Sequence, residues 1–254
     1  VCLKHLDLCS GIGGFALGLQ STGYFKTIGF CEIDSFCQKV LKKNFPGVPI
    51  YNDIKEFKPN DEGIKADIVT SGFPCPAFSF SGKRGGFSQD DLFFENIRII
   101  KETKPSFIIF ENVEGFKKWK TTLQQEVENV GYEWTDWIFD ARDFGLPQCR
   151  RRYFAICVQG GVLPSSQYLQ GIQGKQSKNF QQVFSNNQNT KRWWTSTINS
   201  KEEWRIIFSK SFRSRKNNGI SFRMDKFRSL GNAVCPQIPY YIGQVIGRLY
   251  EISE

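Results

Sequence analysis

Short apolar runs alternate with amphipathic stretches through the first 160 residues. Leu3–Leu8 and Thr27–Cys31 read as strands, and the stretches near Phe15–Ser21 and Phe36–Asn44 read as the helices that follow them. A third short strand precedes Asp53. Ile68–Ser71 and Phe107–Phe110 are two more apolar runs, each meeting polar residues at its C-terminal end. Leu92–Lys101 carries Leu92, Phe93, Ile97 and Ile100 at helical spacing, Thr121–Val130 predicts another helix, and Tyr153–Val158 another strand. Strands alternating with helices predict an α/β fold with a mostly parallel sheet covered on both faces. In such sheets ligands bind beyond the carboxyl ends of the strands.

The pattern changes near Gly160–Pro164. From Ser165 to Lys191 the chain is rich in Gln, Asn and Ser, with little periodicity. Aromatic and basic residues then interleave, as Arg192, Trp193, Trp194, Trp204, Arg205, Phe212, Arg213 and Arg215. The reading is a small irregular second domain over 161–229, inserted into a first domain made of 1–160 plus 230–254. Ile238–Leu249 returns to helical spacing and is expected to pack on that first domain.

Charge sharpens the division. The net charge of +9 on 254 residues is unevenly spread. Residues 1–112 hold 13 Lys/Arg and 13 Asp/Glu, whereas residues 175–228 hold 13 Lys/Arg against Glu202, Glu203 and Asp225, a net of +10. So local an excess points to a polyanionic partner, most simply nucleic acid. Composition, at 40% hydrophobic and 23% charged, is that of an ordinary globular protein. No stretch approaches the roughly 20 apolar residues that span a bilayer. The N-terminus shows no signal-peptide pattern, so a cytoplasmic protein with reduced thiols and no membrane partner is expected. The eight cysteines are scattered, none in a C-x-x-C pair, and there is one histidine; no metal site is expected.

Four clusters carry candidate chemistry. Asp7-Leu8-Cys9-Ser10-Gly11-Ile12-Gly13-Gly14-Phe15 closes the first strand and opens the first helix, where glycines allow a sharp turn and close approach to a ligand. Glu32 ends the second strand about 20 residues on, where an acid can bind ribose hydroxyls, and Asp53 follows the third. Together they favour a nucleoside-bearing cofactor over tight-turn packing alone. In Gly72-Phe73-Pro74-Cys75-Pro76-Ala77-Phe78-Ser79, flanking prolines fix Cys75 at a strand-to-loop junction, where a thiolate can attack an electrophilic carbon; the alternative is a core thiol. The segment Gly82–Phe87 reads as a lid. Glu111-Asn112-Val113 ends the fifth strand, where the apolar run before it allows a desolvated carboxyl whose burial would favour the protonated form; a surface glutamate capping the next helix is an equal alternative. In Gln148-Cys149-Arg150-Arg151-Arg152, Arg150 and Arg152 share one face of a strand and suit an anion or a carbonyl oxygen; an exposed basic edge is the plainer alternative.

In order and spacing, D-L-C-S-G-I-G-G-F, C-E-I-D, N-D-I, G-F-P-C-P-A-F-S, E-N-V, Q-C-R-R-R and G-N-A-V-C-P-Q resemble the bacterial and phage DNA cytosine-5 methyltransferases over residues 1–160 and about 219–254. The resemblance implies a Rossmann-like α/β domain, a small target-recognition domain, S-adenosylmethionine as methyl donor, double-stranded DNA as partner and a monomer. It implies that Cys75 adds to C6 of a flipped-out cytosine, that Glu111 hydrogen-bonds N3, and that Arg150 and Arg152 orient the base. Asp7, Cys9, Gly11, Ile12, Gly13, Gly14, Phe15, Glu32, Ile33, Asp53, Ile54, Gly72, Pro74, Leu92, Asn232 and Val234 correspond to cofactor-pocket positions. Ser79, with Lys83 and Arg84 of the lid, is expected on DNA, as are Arg192, Arg213 and Arg215 of the basic segment. Three departures stand out: Cys9 where an aromatic is usual, Pro76 where glutamine is commonest, and a short variable region that suggests a short or relaxed target. Two other readings remain open, a nucleic-acid-binding protein without catalysis and the same chemistry on RNA.

Overall fold

A computed structural model describes residues 2–74, 92–144, 149–160, 229 and 231–253 of the chain. Its centre is a seven-stranded sheet in the order β3-β2-β1-β4-β5-β7-β6. The strands are β1 (Leu3–Leu8), β2 (Phe25–Cys31), β3 (Ile50–Tyr51), β4 (Ile68–Ser71), β5 (Phe107–Val113), β6 (Glu133–Asp140) and β7 (Arg151–Val158). The helices are α1 (Gly14–Gln20), α2 (Ser35–Asn44), α3 (Leu92–Thr103), α4 (Lys120–Asn129) and α5 (Gln237–Ser253). The expected α/β, mostly parallel sheet is what forms: β1 to β5 pair in parallel, and only β7 runs against its neighbours β5 and β6.

Alternation along the strands sets the two layers. On β5, Phe107 and Ile109 face a core built with Phe15 and Leu19 of α1 and Ile238, Ile242, Val245 and Ile246 of α5. Ile108 and Phe110 face the other side, against Phe93, Ile97 and Ile100 of α3 and Leu123 and Val127 of α4. Local signals end the elements where they end. Asp34 caps α2 by accepting from the N–H groups of Phe36 and Cys37, both at 2.9 Å. α3 stops where Lys104 turns left-handed, at φ 46°, ahead of Pro105.

α5 packs on α1 of the sheet domain, where its helical spacing leads it to be expected, and glycines set the closeness. A Cβ on Gly18 of α1 would run into the Pro236 carbonyl oxygen and lie 2.8 Å from Pro239 Cβ. On α5, one on Gly243 would lie 2.8 Å from Leu19 Cδ2, and one on Gly247 would overlap the Tyr24 ring. Gly18→Ala is therefore expected to destabilise the fold by about 1–3 kcal/mol. Urea melts of both proteins check this, and indistinguishable midpoints would mean that the α1–α5 contact has room for a methyl group.

Beneath α1 a polar chain threads the same layer. Gln20 Nε2 donates to Thr27 Oγ1 at 3.0 Å, His5 lies between Thr27 and Thr70 at 3.0 and 2.8 Å, and the Thr70 hydroxyl donates to Asp7 Oδ1 at 2.7 Å. With Thr70 donating onward, His5 Nε2 carries the proton and Nδ1 accepts from Thr27. Burial pushes His5 down to about 3, so the imidazole is neutral and the chain of donors is fixed in direction.

Candidate active site

Because β7 is antiparallel, its N-terminal end lies at the same edge of the sheet as the carboxyl ends of β1, β2, β4 and β5. That reversal brings Arg150–Arg152 to the edge where Cys9, Glu32, Gly72 and Glu111 already stand. Val113 is in register with Arg152, and Glu111 with Phe154, so Glu111 and Arg152 point to the α1–α5 side of the sheet. Arg151 points the other way and pairs with Glu114 at 3.0 Å.

Glu111 is 6% exposed. Arg152 Nε lies 3.2 Å from its Oε1 without the N–H aligned on it, so that oxygen has charge beside it but no hydrogen bond. Burial pushes the Glu111 carboxyl up from the ordinary 4.5 to about 7, against the opposing pull of Arg152 and then Arg150. Near pH 7 the group thus exchanges a proton readily, as a general acid or base must. The gap in front of it is formed by Gly72. A Cβ there would lie 3.5 Å from Glu111 Oε2, 3.6 Å from Val234 Cγ2 and 4.0 Å from the Cys9 carbonyl oxygen. Three candidate positions from three separate segments therefore converge on one glycine.

The loop after β4 leaves from a fixed base. Asn112, on the α3–α4 side of β5, donates from Nδ2 to the Phe73 carbonyl oxygen at 3.0 Å. The Phe73 ring packs against Phe93, Phe110 and Phe116 at 5.4–5.8 Å. Asn112 was legible only as part of the Glu-Asn-Val run; its anchoring role needed the fold. Cys75, Ser79, Lys83, Arg84, Arg192, Arg213 and Arg215 lie outside the described residues.

Further along the edge, Glu32 binds the glycine turn. Its Oε2 accepts from Gly11 N–H at 2.6 Å and its Oε1 from Asp34 N–H at 2.8 Å. Burial pushes its carboxyl up, while the Asp34 and Gly11 bonds pull it down. The turn needs its glycines: Gly11 is at φ 55° with open space where a Cβ would stand, and Gly13 caps α1 at φ 87° against Phe45. Cys9 is held left-handed as well, at φ 49°. Beside Glu32, Ile33 is 64% exposed. The Asp53–Ile54 turn is held from outside by Arg98 of α3, which donates to the carbonyl oxygens of Ile54 and Phe57 at 2.8 and 2.9 Å. Arg98 carried no sequence signal of this kind.

Some of the positions expected in a cofactor pocket support the turn from within. The Asp7 carboxyl is fully buried against Thr70, and burial pushes it well up; it braces β1 under α1 and does not reach the edge with its side chain. Phe15 stacks edge-on to Phe154 in the core, and Ile12 and Ile54 are buried. Gly14 is pressed against the Val234 carbonyl, while Pro74 and Asn232 are exposed at the edge and Leu92 is half-buried at the start of α3. Arg150 precedes β7 instead of lying on it, because its N–H turns to Asp140 Oδ1 at 3.4 Å. Its guanidinium binds the carbonyl oxygens of Gly231 and Ala233 at 2.7 Å each. Among the described residues no group of three or more His, Cys, Asp or Glu is placed to hold a metal, and no helix is long and apolar enough to cross a membrane.

Comparison with known proteins places the chain in a family. The chain is 42% identical over 160 residues to Type II methyltransferase M1.ScrFI of Lactococcus lactis subsp. cremoris, covering 60% of this chain and 41% of that protein. It is 36% identical over 168 residues to Type II methyltransferase M.HhaI of Haemophilus parahaemolyticus, covering 63% of this chain and 50% of that one. The chain thus spans about half the length of the curated relatives it matches. In fold it matches the crystal structure of S. pombe Dnmt2 methyltransferase, with a TM-score of 0.67 at 14% identity over 99% of both chains. The model of the C-5 cytosine-specific DNA methylase family matches residues 3–229, and the chain belongs to that family.

Proposed function

We propose that the chain is a DNA (cytosine-5-)-methyltransferase, moving a methyl group from S-adenosylmethionine to C5 of a cytosine flipped out of duplex DNA. The observation that carries this reading is Glu111, a buried carboxyl pushed up to about 7 beside Arg152 and open at Gly72. A cytosine ring attacked at C6 builds negative charge at N3, and a protonated carboxyl poised near neutral pH can quench it.

The residues at the β1–β4 end fit the cofactor. Each Glu32 oxygen gives one acceptor position to a backbone N–H and keeps another for a ribose hydroxyl. The exposed Ile33 offers an apolar surface to a base, and the gap at Gly72 lies between Val234 and Glu111. Glu32, Ile33, the Gly11–Gly14 turn, the Asp53–Ile54 turn, Gly72, Pro74, Leu92, Asn232 and Val234 would hold it. Bound there, S-adenosylmethionine supplies a sulfonium-activated methyl group to an electron-rich C5.

The chain's own groups make C5 electron-rich. Cys75, one residue beyond Pro74, adds as a thiolate to C6, while Glu111 gives its proton to N3. The ring then carries an enamine instead of an anion. After C5 is alkylated, a water molecule takes the C5 proton, the C5–C6 double bond re-forms as the Cys75 thiolate leaves C6, and N3 returns its proton to Glu111. Arg152 keeps a positive charge beside the base throughout. Residues 1–160 with 230–254 form the catalytic domain in this reading, and 161–229 select the target. Arg192, Arg213 and Arg215 contact DNA from that segment, and Ser79, Lys83 and Arg84 close over the extracted base, whose unstacking costs a few kcal/mol. The enzyme acts as a monomer in the cytoplasm.

Bisulfite sequencing of duplex DNA and of transfer RNA, each incubated with the protein and S-adenosylmethionine, tests the proposal. Protected cytosines in the duplex alone, at a recurring short site, are expected. Protection of the RNA alone would move the substrate to RNA. Binding without methylation of either would leave only a nucleic-acid-binding protein.

A further inference from the structure

Arg150 has the surroundings of a clamp. Its two terminal nitrogens reach two carbonyls of the C-terminal segment, Gly231 and Ala233, each at 2.7 Å. A planar fork gripping two acceptors on one stretch of backbone fixes both its position and its direction. Arg150 is more deeply placed than a surface arginine: burial and then the neighbouring Arg152 both weaken its hold on its proton, with Glu111 opposing. The gripped residues matter because of what they carry. Asn232 lies between the two carbonyls, and Val234 follows, its carbonyl against Gly14 and its Cγ2 against the gap at Gly72. In sequence this segment lies beyond residues 161–228. Arg150 ties it to the start of β7, two residues from Arg152 and in the field of Glu111.

We propose that Arg150 is a positioning residue for the cofactor side of the site, locking residues 231–234 against the glycine turn and Gly72, and that it does not orient the cytosine. Only Arg152 of the pair, whose Nε lies beside Glu111, is left for the base. The inference rests on the methyltransferase reading for the identity of the ligand but not for the clamp itself.

The test compares Arg150→Ala and Arg150→Lys with the parent chain in three measurements. The first is backbone amide exchange over residues 231–236 without ligand. The second is S-adenosylmethionine affinity by calorimetry, and the third is the split between kcat and KM for the cofactor. Arg150→Ala is expected to speed exchange across 231–236 at least about tenfold and to raise Kd and KM for S-adenosylmethionine by about tenfold or more. Most of its lost rate should return at saturating cofactor. Arg150→Lys, with one compact donor in place of the fork, should fall between. A kcat loss with Kd and KM unchanged would overturn the proposal by placing Arg150 on the reacting base. If Arg150→Ala does not fold, Arg150→Lys decides by the same split. A wild-type chain that binds no S-adenosylmethionine would sink the methyltransferase reading. The clamp is then judged on exchange, and unchanged protection of 231–236 in the variants overturns it.

Discussion

A Cys75→Ser chain should lose methyl transfer by at least ~10³-fold at saturating DNA and cofactor, while still binding DNA. The hydroxyl of serine is almost wholly protonated at neutral pH and is a poor nucleophile toward C6, whereas a thiol supplies a usable thiolate fraction. The other cysteines sharpen the choice. Burial pushes Cys31, Cys37 and Cys235 up to about 12, and pushes Cys9 and Cys157 up further, so these five are held as unreactive thiols. Cys2→Ser, at an exposed position near the N-terminus, should turn over as the parent does. Single-turnover methylation with tritiated S-adenosylmethionine measures both. Residual activity within tenfold of wild type in Cys75→Ser would move the nucleophile elsewhere.

Glu111→Gln is the second large effect. The amide fits the same space and can reach N3, but it has no proton to give and take. A loss in kcat of about 10²–10⁴-fold is expected, with DNA affinity kept. The pH dependence carries its own signature. The carboxyl must be protonated when the base binds, so wild-type kcat/KM should fall as pH rises through about 7, and that limb should vanish in Glu111→Gln. Stability follows the same group. Between 4.5 and about 7 the folded chain keeps a proton that the unfolded chain releases, so stability falls as pH rises across that window. Chemical melts at pH 5 and 7.5 should show the parent losing stability relative to Glu111→Gln as pH rises, whatever slope the other groups, His5 among them, give both proteins.

Much of the fold was legible because it repeats a simple period. β1 and β4 fall at the residues their apolar runs predict, and α1 to α4 lie within a residue or two of their expected positions. β6 was not foreseen. It is an edge strand with half-buried Trp134, Trp137 and Ile138, so it lacks a clean apolar face. The direction of β7 was also hidden, since periodicity has no sign, yet that direction is what brings Arg152 to Glu111. Of the site, Glu111, Glu32 and the glycine turn could be read from residue type at a strand end. Asn112, Arg98 and the backbone grip of Arg150 could not, because each acts on a carbonyl 39 to 83 residues away. The glycines at 18, 243 and 247 are of the same kind, set by a contact that joins the two ends of the chain.

The most direct test of the central claim is covalent capture. Duplex DNA carrying 5-fluorocytosine in place of cytosine should, with S-adenosylmethionine, trap the protein as a denaturation-stable adduct, because fluorine at C5 cannot leave as a proton does. Peptide mass mapping should place the nucleotide on Cys75, and Cys75→Ser should form none. No adduct on any duplex, or one mapped to another residue, would contradict the account.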